Sequence, residues 1–442
     1  MTTPGTTPAA AAALPPGPKT WPLVQGAVGF AAPHRGIARL RDRYGDAFTV
    51  NIPGFGQIVV ISDPGQVRKL FLAGPDVAEN LDRNLGRVLG PGSMFALTGE
   101  RHRKERKLLV PPFHGRRLAA YERITAEEAE REMASWPSGR AFAVMPSMMR
   151  ITVNVILRAV FGATGRELDV LREQLPRAVR LGSILAVVPL PKTQSRWTPW
   201  GRAMELRRGY DAIIDQMIAK ALADPHLDER DDVLALMVQA RYEDGSPMTN
   251  SDIADELLTL LAAGHETTAT TLAWATERLR RHPAVLADLV DEVDKDDGDS
   301  LRQAVITEVQ RTRPVINLVG RTIRAESMEL GPWVLPRGTT AAISIGLMHA
   351  NPSLFPEPER FRPSRWLDAK PDLYQWIPFG GGTRRCIGAA FANMEMNVVL
   401  RTMLRDFTLR PLPAGTPGER WRFRGIASAP ARGGQAIVTR RS

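Results

Sequence analysis

The chain has 442 residues, and its hydrophobic fraction of 43% is enough to bury a sizeable core. Its single cysteine excludes an internal disulfide, and no apolar run approaches the roughly 18 residues that a transmembrane helix needs. The formal charge of +10 has no recognisable nucleic-acid-binding module beside it. We therefore expect a cytoplasmic protein without a transmembrane anchor and without a nucleic-acid partner.

The first twenty residues predict a flexible N-terminal tail. They are rich in Ala, Thr and Pro, and they lack the cationic start and continuous apolar stretch of a secretory signal. Beyond them, no Gly/Ser/Pro-rich linker is long enough to separate two domains. We predict a tail over residues 1–20 and a single domain over residues 21–442.

The predicted elements give a mainly α fold with small β-sheets. Two β-prone runs, 47–52 and 57–62, flank a Pro-Gly-Phe-Gly turn and predict a hairpin, and residues 339–345 predict a further strand. Helical periodicity dominates the remainder. The predicted helices include residues 119–136, 146–161, 202–222, 283–293 and 390–406.

One further helix is expected to be much longer than the others. Thr249 is a suitable N-cap, Asp252 completes an approximate capping box, and Pro283 ends the helix after His282. At 1.5 Å per residue it would be roughly 50 Å long. Its middle, residues 257–264, is apolar on nearly all sides and is therefore predicted to be buried.

The centre of that helix carries an acid next to a hydroxyl, Glu266 and Thr267. Such groups are costly inside a buried helix unless they have partners. Thr267 could simply donate to a carbonyl one turn earlier. The preceding His265 gives a zinc-protease-like pair with Glu266, but that motif needs a second histidine where Ala269 stands, so a zinc site is excluded.

The cysteine, Cys386, lies in the segment FGGGTRRCIG, from Phe379 to Gly388, ahead of a predicted helix. Consecutive glycines let a backbone approach a flat ligand, and N–H groups before a helix stabilise a thiolate. Arg384 adds a cation suited to a carboxylate. A buried apolar cysteine, a phosphate-binding loop and a nucleophilic cysteine are the alternatives, and the whole spacing disfavours all three.

This segment resembles the haem-binding signature of the cytochrome P-450 haem-thiolate enzymes. It matches that signature at every defining position, namely Phe379, Gly380, Gly382, Arg384, Cys386 and Gly388. The resemblance implies the P-450 fold, in which the long central helix crosses the haem. It also implies that haem b (iron protoporphyrin IX) is the cofactor and that Cys386 is the axial ligand of its iron.

The centre of the long helix resembles the oxygen-binding motif of the same family. The resemblance implies that Gly264 leaves room for dioxygen, that Thr267 hydrogen-bonds it, and that Glu266 feeds a proton relay. Peroxide-using relatives generally lack this acid–alcohol pair, so its presence favours dioxygen chemistry.

Other family positions concern haem retention and folding. The resemblance implies that the haem propionates are held by His102, Arg106, Arg321 and Arg384. Glu308 and Arg311 are three apart on a predicted helix and can pair on one face. In the family such a pair is completed by an arginine of the later Pro-rich segment, and Arg360 is predicted to be that arginine.

Together these features imply a monooxygenase that inserts one oxygen atom of O2 into a lipophilic small molecule. Electrons would come from a separate ferredoxin or flavodoxin with an NAD(P)H-dependent reductase, and Arg103, Lys104 and Lys107 could face such an acidic donor. The alternative is a non-catalytic haem protein that binds a ligand or senses gas, and the Glu266–Thr267 pair favours the enzyme. The stretch 376–394 and the Arg-rich composition resemble soluble bacterial, actinobacterial members.

By the same resemblance, substrate is expected to meet residues 81–97, 181–200, 315–319 and 425–427, and the long helix near Ala262. These segments are largely apolar, which favours a lipophilic substrate, although the same side chains could equally belong to the core. The apolar candidates are Val88, Leu89, Met94, Phe95, Ile184, Leu185, Leu318 and Ile426.

Overall fold

A computed structural model describes residues 13–31, 33–81, 85–115, 117–162, 165–186, 195 and 197–441. Residues 1–12, the larger part of the predicted tail, lie outside this description. Helices dominate, as predicted. They are, in chain order, α1 (Pro22–Ala31), α2 (Pro33–Tyr44), α3 (Pro64–Leu72), α4 (Leu85–Leu89), α5 (Gly99–Leu109), α6 (Arg117–Met133), α7 (Met145–Phe161), α8 (Arg166–Leu185), α9 (Pro199–Leu222), α10 (Val233–Gln239), α11 (Asn250–Arg281), α12 (Pro283–Lys295), α13 (Ser300–Thr312), α14 (Ile345–His349) and α15 (Ala389–Asp406).

The strands are short and form small sheets, also as predicted. They are β1 (Ala47–Ile52), β2 (Gly56–Ile61), β3 (Ala78–Asn80), β4 (Phe142–Ala143), β5 (Leu318–Ile323), β6 (Ser327–Leu330), β7 (Trp333–Pro336), β8 (Thr340–Ser344), β9 (Phe407–Leu409), β10 (Trp421–Phe423), β11 (Ser428–Pro430), β12 (Gln435–Ala436) and β13 (Val438–Arg440). One sheet has five strands in the order β1-β2-β8-β5-β3, and the two-stranded pairs are β6-β7, β10-β11, β12-β4 and β13-β9.

The chain forms two compact units. Unit 1 comprises Met1–Asp82, Leu318–Leu354 and Leu373–Arg385, and unit 2 comprises Arg83–Asn317, Phe355–Asp372 and Cys386–Ser442. The single domain predicted over residues 21–442 stays a prediction. Among the helices of the described ranges, none is long and apolar enough to cross a lipid bilayer.

Unit 1 is built on the five-stranded sheet. The predicted hairpin is confirmed: β1 pairs antiparallel with β2, and Gly54 and Gly56 adopt the positive φ angles that its turn requires. Side chains alternate across the sheet, so Phe48 and Val60 pack in one cluster while Val59 and Ile61 pack in another. The predicted strand at 339–345 is β8, which joins β2 in parallel and β5 antiparallel.

Unit 2 is a helical assembly around α11. Thr249 caps this helix by accepting a hydrogen bond from the backbone N–H of Asp252 at 3.1 Å, and the helix ends at Arg281, before Pro283. Its 32 residues correspond to roughly 48 Å, in agreement with the predicted length. Helices α7, α13 and α15 pack against it. The capping Thr249 and the terminating Pro283 therefore predicted both ends of the helix on which unit 2 is assembled.

A second organising feature of unit 2 is the fully buried carboxylate of Glu308 on α13. Arg311 donates to it twice, at 2.7 and 2.8 Å, which confirms the pair expected from their spacing. Trp366 donates its indole N–H at 2.9 Å, Arg362 its backbone N–H at 2.9 Å, and Arg365 its Nε at 3.2 Å. Such a set of donors satisfies a buried carboxylate that would otherwise be very costly.

The prediction that Arg360 completes this network is wrong. The Arg360 side chain is 67% exposed and pairs with Glu357, whereas the Arg365 side chain is 8% exposed and faces Glu308. Arg360 contributes only its backbone carbonyl, which accepts from Arg311 at 3.0 Å. Both arginines lie in the same Pro-rich segment, and only the three-dimensional path of the chain shows which one points inwards.

We expect Arg365→Gln to lower the free energy of unfolding by about 2–3 kcal/mol, because it removes a buried cation from Glu308. Arg360→Gln is the matched control and should change it by less than about 0.5 kcal/mol, as an exposed side chain does. Urea unfolding followed by circular dichroism measures both. Equal effects of the two substitutions would contradict the assignment.

Candidate functional site

The buried helix α11 has one open patch. From Ile253 to Arg280 every residue is buried except Ala262, Ala263, Gly264 and Thr267. Ala263 is exposed and the other three are half-buried. The predicted burial of residues 257–264 is therefore confirmed up to Leu261 and wrong for the last turn. Because Ala263 and Thr267 are one turn apart, the patch is a single face of the helix, lined by small side chains.

Two residues of this patch have contacts that bear on their predicted roles. The Thr267 hydroxyl donates to the carbonyl of Ala263 at 2.8 Å, which is the back-bonding alternative noted from the sequence. A Cβ added at Gly264 would meet Ile156 of α7 at 3.1 Å. A side chain at Gly264 would therefore require Ile156 to shift by a few tenths of an ångström, so α11 packs closely on α7 at this position.

The acid of the predicted acid–alcohol pair has a partner that sequence reasoning missed. Glu266 is buried and accepts a hydrogen bond from Nε of Arg424 at 2.8 Å. Arg424 lies 158 positions further along the chain, in the turn between β10 and β11, so no local spacing signals the contact. His265 is buried on α11 as well, and burial lowers its pKa, which keeps the imidazole neutral at pH 7.

The glycines of the cysteine loop serve the packing of unit 1. Gly380 and Gly382 have φ angles of 67° and 66°, which favour glycine. A Cβ at Gly382 would lie 2.0 Å from the backbone oxygen of Phe71 on α3, and one at Gly381 would strike the ring of Phe71. The ring of Phe379 packs edge-on against Trp376. The sequence predicted that these glycines let the backbone approach a flat ligand. At Gly381 and Gly382 the backbone instead lies close to Phe71.

Cys386 and Gly388 belong to unit 2, at the start of α15. Cys386 is exposed, and Gly388 is the N-cap of α15. The positive end of a helix dipole favours a negative charge such as a thiolate in this position. Since α15 packs against α11, the helix that follows the cysteine and the helix that carries the open patch are direct neighbours within the unit.

Unit 1 holds two of the predicted propionate-binding arginines close together. Arg384 donates to Glu79 of β3 in a salt bridge whose side chains are both buried, and Arg321 donates to backbone carbonyls of Gly320 and Gly381. Burial, with the neighbouring Arg384, lowers the pKa of Arg321 to about 10. These three side chains carry two positive charges and one negative charge. The surplus cation suits an anionic ligand.

The other two predicted propionate ligands lie on α5 in unit 2. His102 is buried and Arg106 is half-buried, one turn apart on the same face. Arg101 ties this helix to the first turn of α11 through Asp252 at 2.9 Å. The exposed basic residues of the run are partly neutralised, because Arg103 pairs with Glu100 and Lys107 pairs with Glu243. These ion pairs weaken the hypothesis that Arg103, Lys104 and Lys107 bind an acidic electron donor.

The predicted substrate-contacting residues divide into exposed and packed side chains. Phe95 and Ile184 in unit 2 and Leu318 in unit 1 are large apolar side chains at 39–44% exposure. Leu89 and Leu185 are core residues of unit 2. Residues 82–84, 187–194 and 196 of the predicted segments lie outside the described residues.

Comparison of the sequence with those of known proteins shows which family the chain belongs to. The sequence profile described as cytochrome P450 matches residues 15–433. The protein named cytochrome P450 138 of Mycobacterium tuberculosis is 53% identical over 429 residues, which cover 97% of each chain. Cytochrome P450 135B1 of the same organism is 40% identical over 435 residues, covering 96% of this chain and 91% of that one.

Solved structures agree on the fold. The retinoic-acid-bound cyanobacterial CYP120A1 superposes with a TM-score of 0.85 at 22% identity, over 98% of this chain and 100% of that one. The haem domain of cytochrome P450DA gives a TM-score of 0.82 at 22% identity, over 98% of both chains. With sequence profile, relatives and fold in agreement over nearly its whole length, the chain belongs to the cytochrome P450 family.

Proposed function

We propose that this P450 monooxygenase inserts one atom of O2 into a lipophilic small molecule and releases the other as water. The balanced reaction takes substrate, O2, two electrons and two protons to hydroxylated product and water. NAD(P)H would supply the electrons through a reductase and a separate ferredoxin or flavodoxin. The observation that supports the proposal best is the open patch on α11, where small residues adjoin a carboxylate and a hydroxyl.

The cofactor follows from the family. The protein binds haem with a cysteine thiolate as axial ligand, and the chain has only one cysteine. We assign that ligand to Cys386, which is exposed and precedes the N-terminus of α15. When bound, the haem supplies the capacity to activate O2. Phe379, Gly380, Gly382 and Gly388 would shape the loop around the ligand.

The haem propionates need cations, and the structure offers them in both units. Arg321 and Arg384 provide a buried surplus of positive charge in unit 1, and His102 and Arg106 provide a second pair of donors on α5 in unit 2. Arginine suits this task because its guanidinium can donate two parallel hydrogen bonds to one carboxylate. We propose that these four side chains hold the propionates.

Proton supply is assigned to Glu266 and Thr267. A hydroxyl has one hydrogen to donate, and that of Thr267 is donated to Ala263. Thr267 can then only accept until its O–H bond turns towards another acceptor, so we propose that this reorientation accompanies turnover. Glu266, one residue earlier and buried, would take protons from solvent and pass them on. Because Glu266 is buried, it would supply protons without filling the site with water.

A lipophilic substrate is supported by the side chains in the predicted contact segments. Phe95 and Ile184 are exposed apolar residues of unit 2, and Ala262 and Ala263 add small apolar surface on α11. Burying such surface against a ligand is favourable at about 25 cal/mol per Å². Polar recognition of the substrate would be added by few groups, as in most small-molecule sites.

We expect Arg321→Met to accelerate haem loss about tenfold, because one charge-assisted hydrogen bond to a propionate is worth about 1.5–3 kcal/mol. Arg324→Met is the control, since Arg324 is exposed, three positions further along the chain. Transfer of haem to excess apomyoglobin measures the rate. If both variants lost haem at the wild-type rate, Arg321 would not be a propionate ligand.

We expect Thr267→Ala to lower the product formed per NAD(P)H about tenfold or more, since proton transfer by a positioned group typically contributes a hundredfold or more. Thr276→Ala is the control, because Thr276 is also back-bonded on α11 but lies beyond the patch. Surrogate redox partners and product analysis provide the measurement. A wild-type protein that formed no product with any lipophilic compound would favour the non-catalytic haem protein.

A further inference from the structure

The hairpin β10-β11 has a base that is fixed independently of its turn. Trp274 of α11 donates to the carbonyl of Ser428 at 3.1 Å, Ser428 donates its N–H to Val315 at 2.8 Å, and Asn317 donates to the Ser428 hydroxyl at 2.8 Å. The rings of Trp274 and Trp421 pack at 4.9 Å between centroids. The strands are therefore anchored on α11 and on the segment that follows α13.

The turn of the hairpin, residues 424–427, is also closely packed. Arg424 donates its N–H to the carbonyl of Ala427 at 2.9 Å. Gly425 has a φ of 92°, and a Cβ there would lie 2.3 Å from the backbone oxygen of Ser183, near the end of α8. Ile184, the next residue of α8, is one of the exposed apolar side chains. The turn thus lies between the end of α8 and the open patch of α11.

From this turn the Arg424 side chain reaches Glu266. Its Nε lies 2.8 Å from the carboxylate, the Glu266 side chain is 5% exposed, and that of Arg424 is 27% exposed. His265, the neighbouring titratable group on α11, is neutral because burial lowers its pKa. Among the described residues, Arg424 is the cation that pairs with Glu266. The backbone contacts of the hairpin do not need this side chain.

We infer that Arg424 is a positioning residue for Glu266, the carboxylate to which proton delivery is assigned. The inference rests on the proposed monooxygenase function. Arg424 fixes the position of the Glu266 carboxylate, one residue from Thr267, because its Nε lies 2.8 Å from that carboxylate. Each of the two protons needed per turnover passes from solvent to Glu266, then to Thr267 and on to the oxygen atom that leaves as water. Glu266 regains its starting form after each transfer.

Two observations favour this role over simple stabilisation of the hairpin. The base and the turn have their own hydrogen bonds and ring contacts, so the hairpin persists without the Arg424 guanidinium. Glu266 is one residue from Thr267, so any change in the ion pair acts directly beside the hydroxyl. A charge-assisted hydrogen bond to a buried carboxylate is strong enough to determine how that carboxylate is oriented.

The test compares Arg424→Gln, Arg424→Lys and the control Arg422→Gln, which alters an exposed arginine of the same hairpin. We expect Arg424→Gln to reduce product per NAD(P)H about tenfold and to change the solvent deuterium isotope effect on turnover. Arg424→Lys should recover most of the loss, and Arg422→Gln should match the wild type. An Arg422→Gln effect as large as that of Arg424→Gln would overturn the inference.

The same substitutions, made in a Glu266→Gln background, show whether Arg424 affects turnover through Glu266. If Arg424 acts through Glu266, Arg424→Gln adds less than about a twofold further loss there, because the interaction is already absent. An undiminished tenfold loss would overturn the inference. Failure of the proposed function is distinguishable, because the wild type itself would then form no product.

Thermal unfolding of the haem-loaded protein gives a readout that does not depend on turnover. The Tm losses of Glu266→Gln and Arg424→Gln should be non-additive, since removing one partner already breaks the pair. Strictly additive losses would show that the two side chains do not interact and would overturn the inference.

Discussion

Unit 2 depends on one constraint, the burial of a helix that carries charges. Between Ile253 and Arg280 only one short patch of α11 reaches the surface, yet the helix contains several ionisable side chains. A buried charge without a partner costs several kcal/mol, which favours either an ion pair or the neutral form. Arg207 of α9 pairs with Asp255, and the turn of the last hairpin pairs with Glu266. Two tertiary contacts of α11 therefore meet this requirement, while burial raises the pKa of Glu256 and favours its neutral form.

The two buried carboxylates Glu308 and Glu266 show how differently such a requirement can be met. Glu308 accepts from Arg311, Arg362, Arg365 and Trp366, so both its oxygens are saturated. A carboxylate held by so many donors is fixed in place, which suits a structural role. Glu266 accepts, within the described residues, from Arg424, and can change partner by breaking one contact. That difference is consistent with a structural role for Glu308 and with the proton-transfer role that we propose for Glu266.

Sequence reasoning located the features that depend on local order. The ends of α11 follow from a capping threonine and a terminating proline, and the first hairpin follows from two β-prone runs around a glycine turn. The cysteine loop and the acid–alcohol pair were identified because their residues are contiguous. Short helices such as α14, with the sequence IGLMH, were not predicted as elements, since five residues contain too little periodicity to detect.

What sequence could not predict is which distant side chains meet. Arg360 and Arg365 are chemically equivalent and five positions apart, and only the fold shows that Arg365 faces Glu308. Arg424 has no motif around it, and the close approach of Gly264 to Ile156 of α7 is not signalled by the local sequence. Each of these depends on tertiary packing between segments that are distant in the chain.

Ligation of the haem iron by Cys386 underlies the whole assignment, and the absorption spectrum of the reduced CO complex tests it most directly. Wild-type protein should give the red-shifted Soret band of thiolate-ligated haem, and Cys386→His should retain haem but give the band of imidazole-ligated haem. A thiolate-type band that survived in Cys386→His, or a wild-type protein that bound no haem, would contradict the assignment.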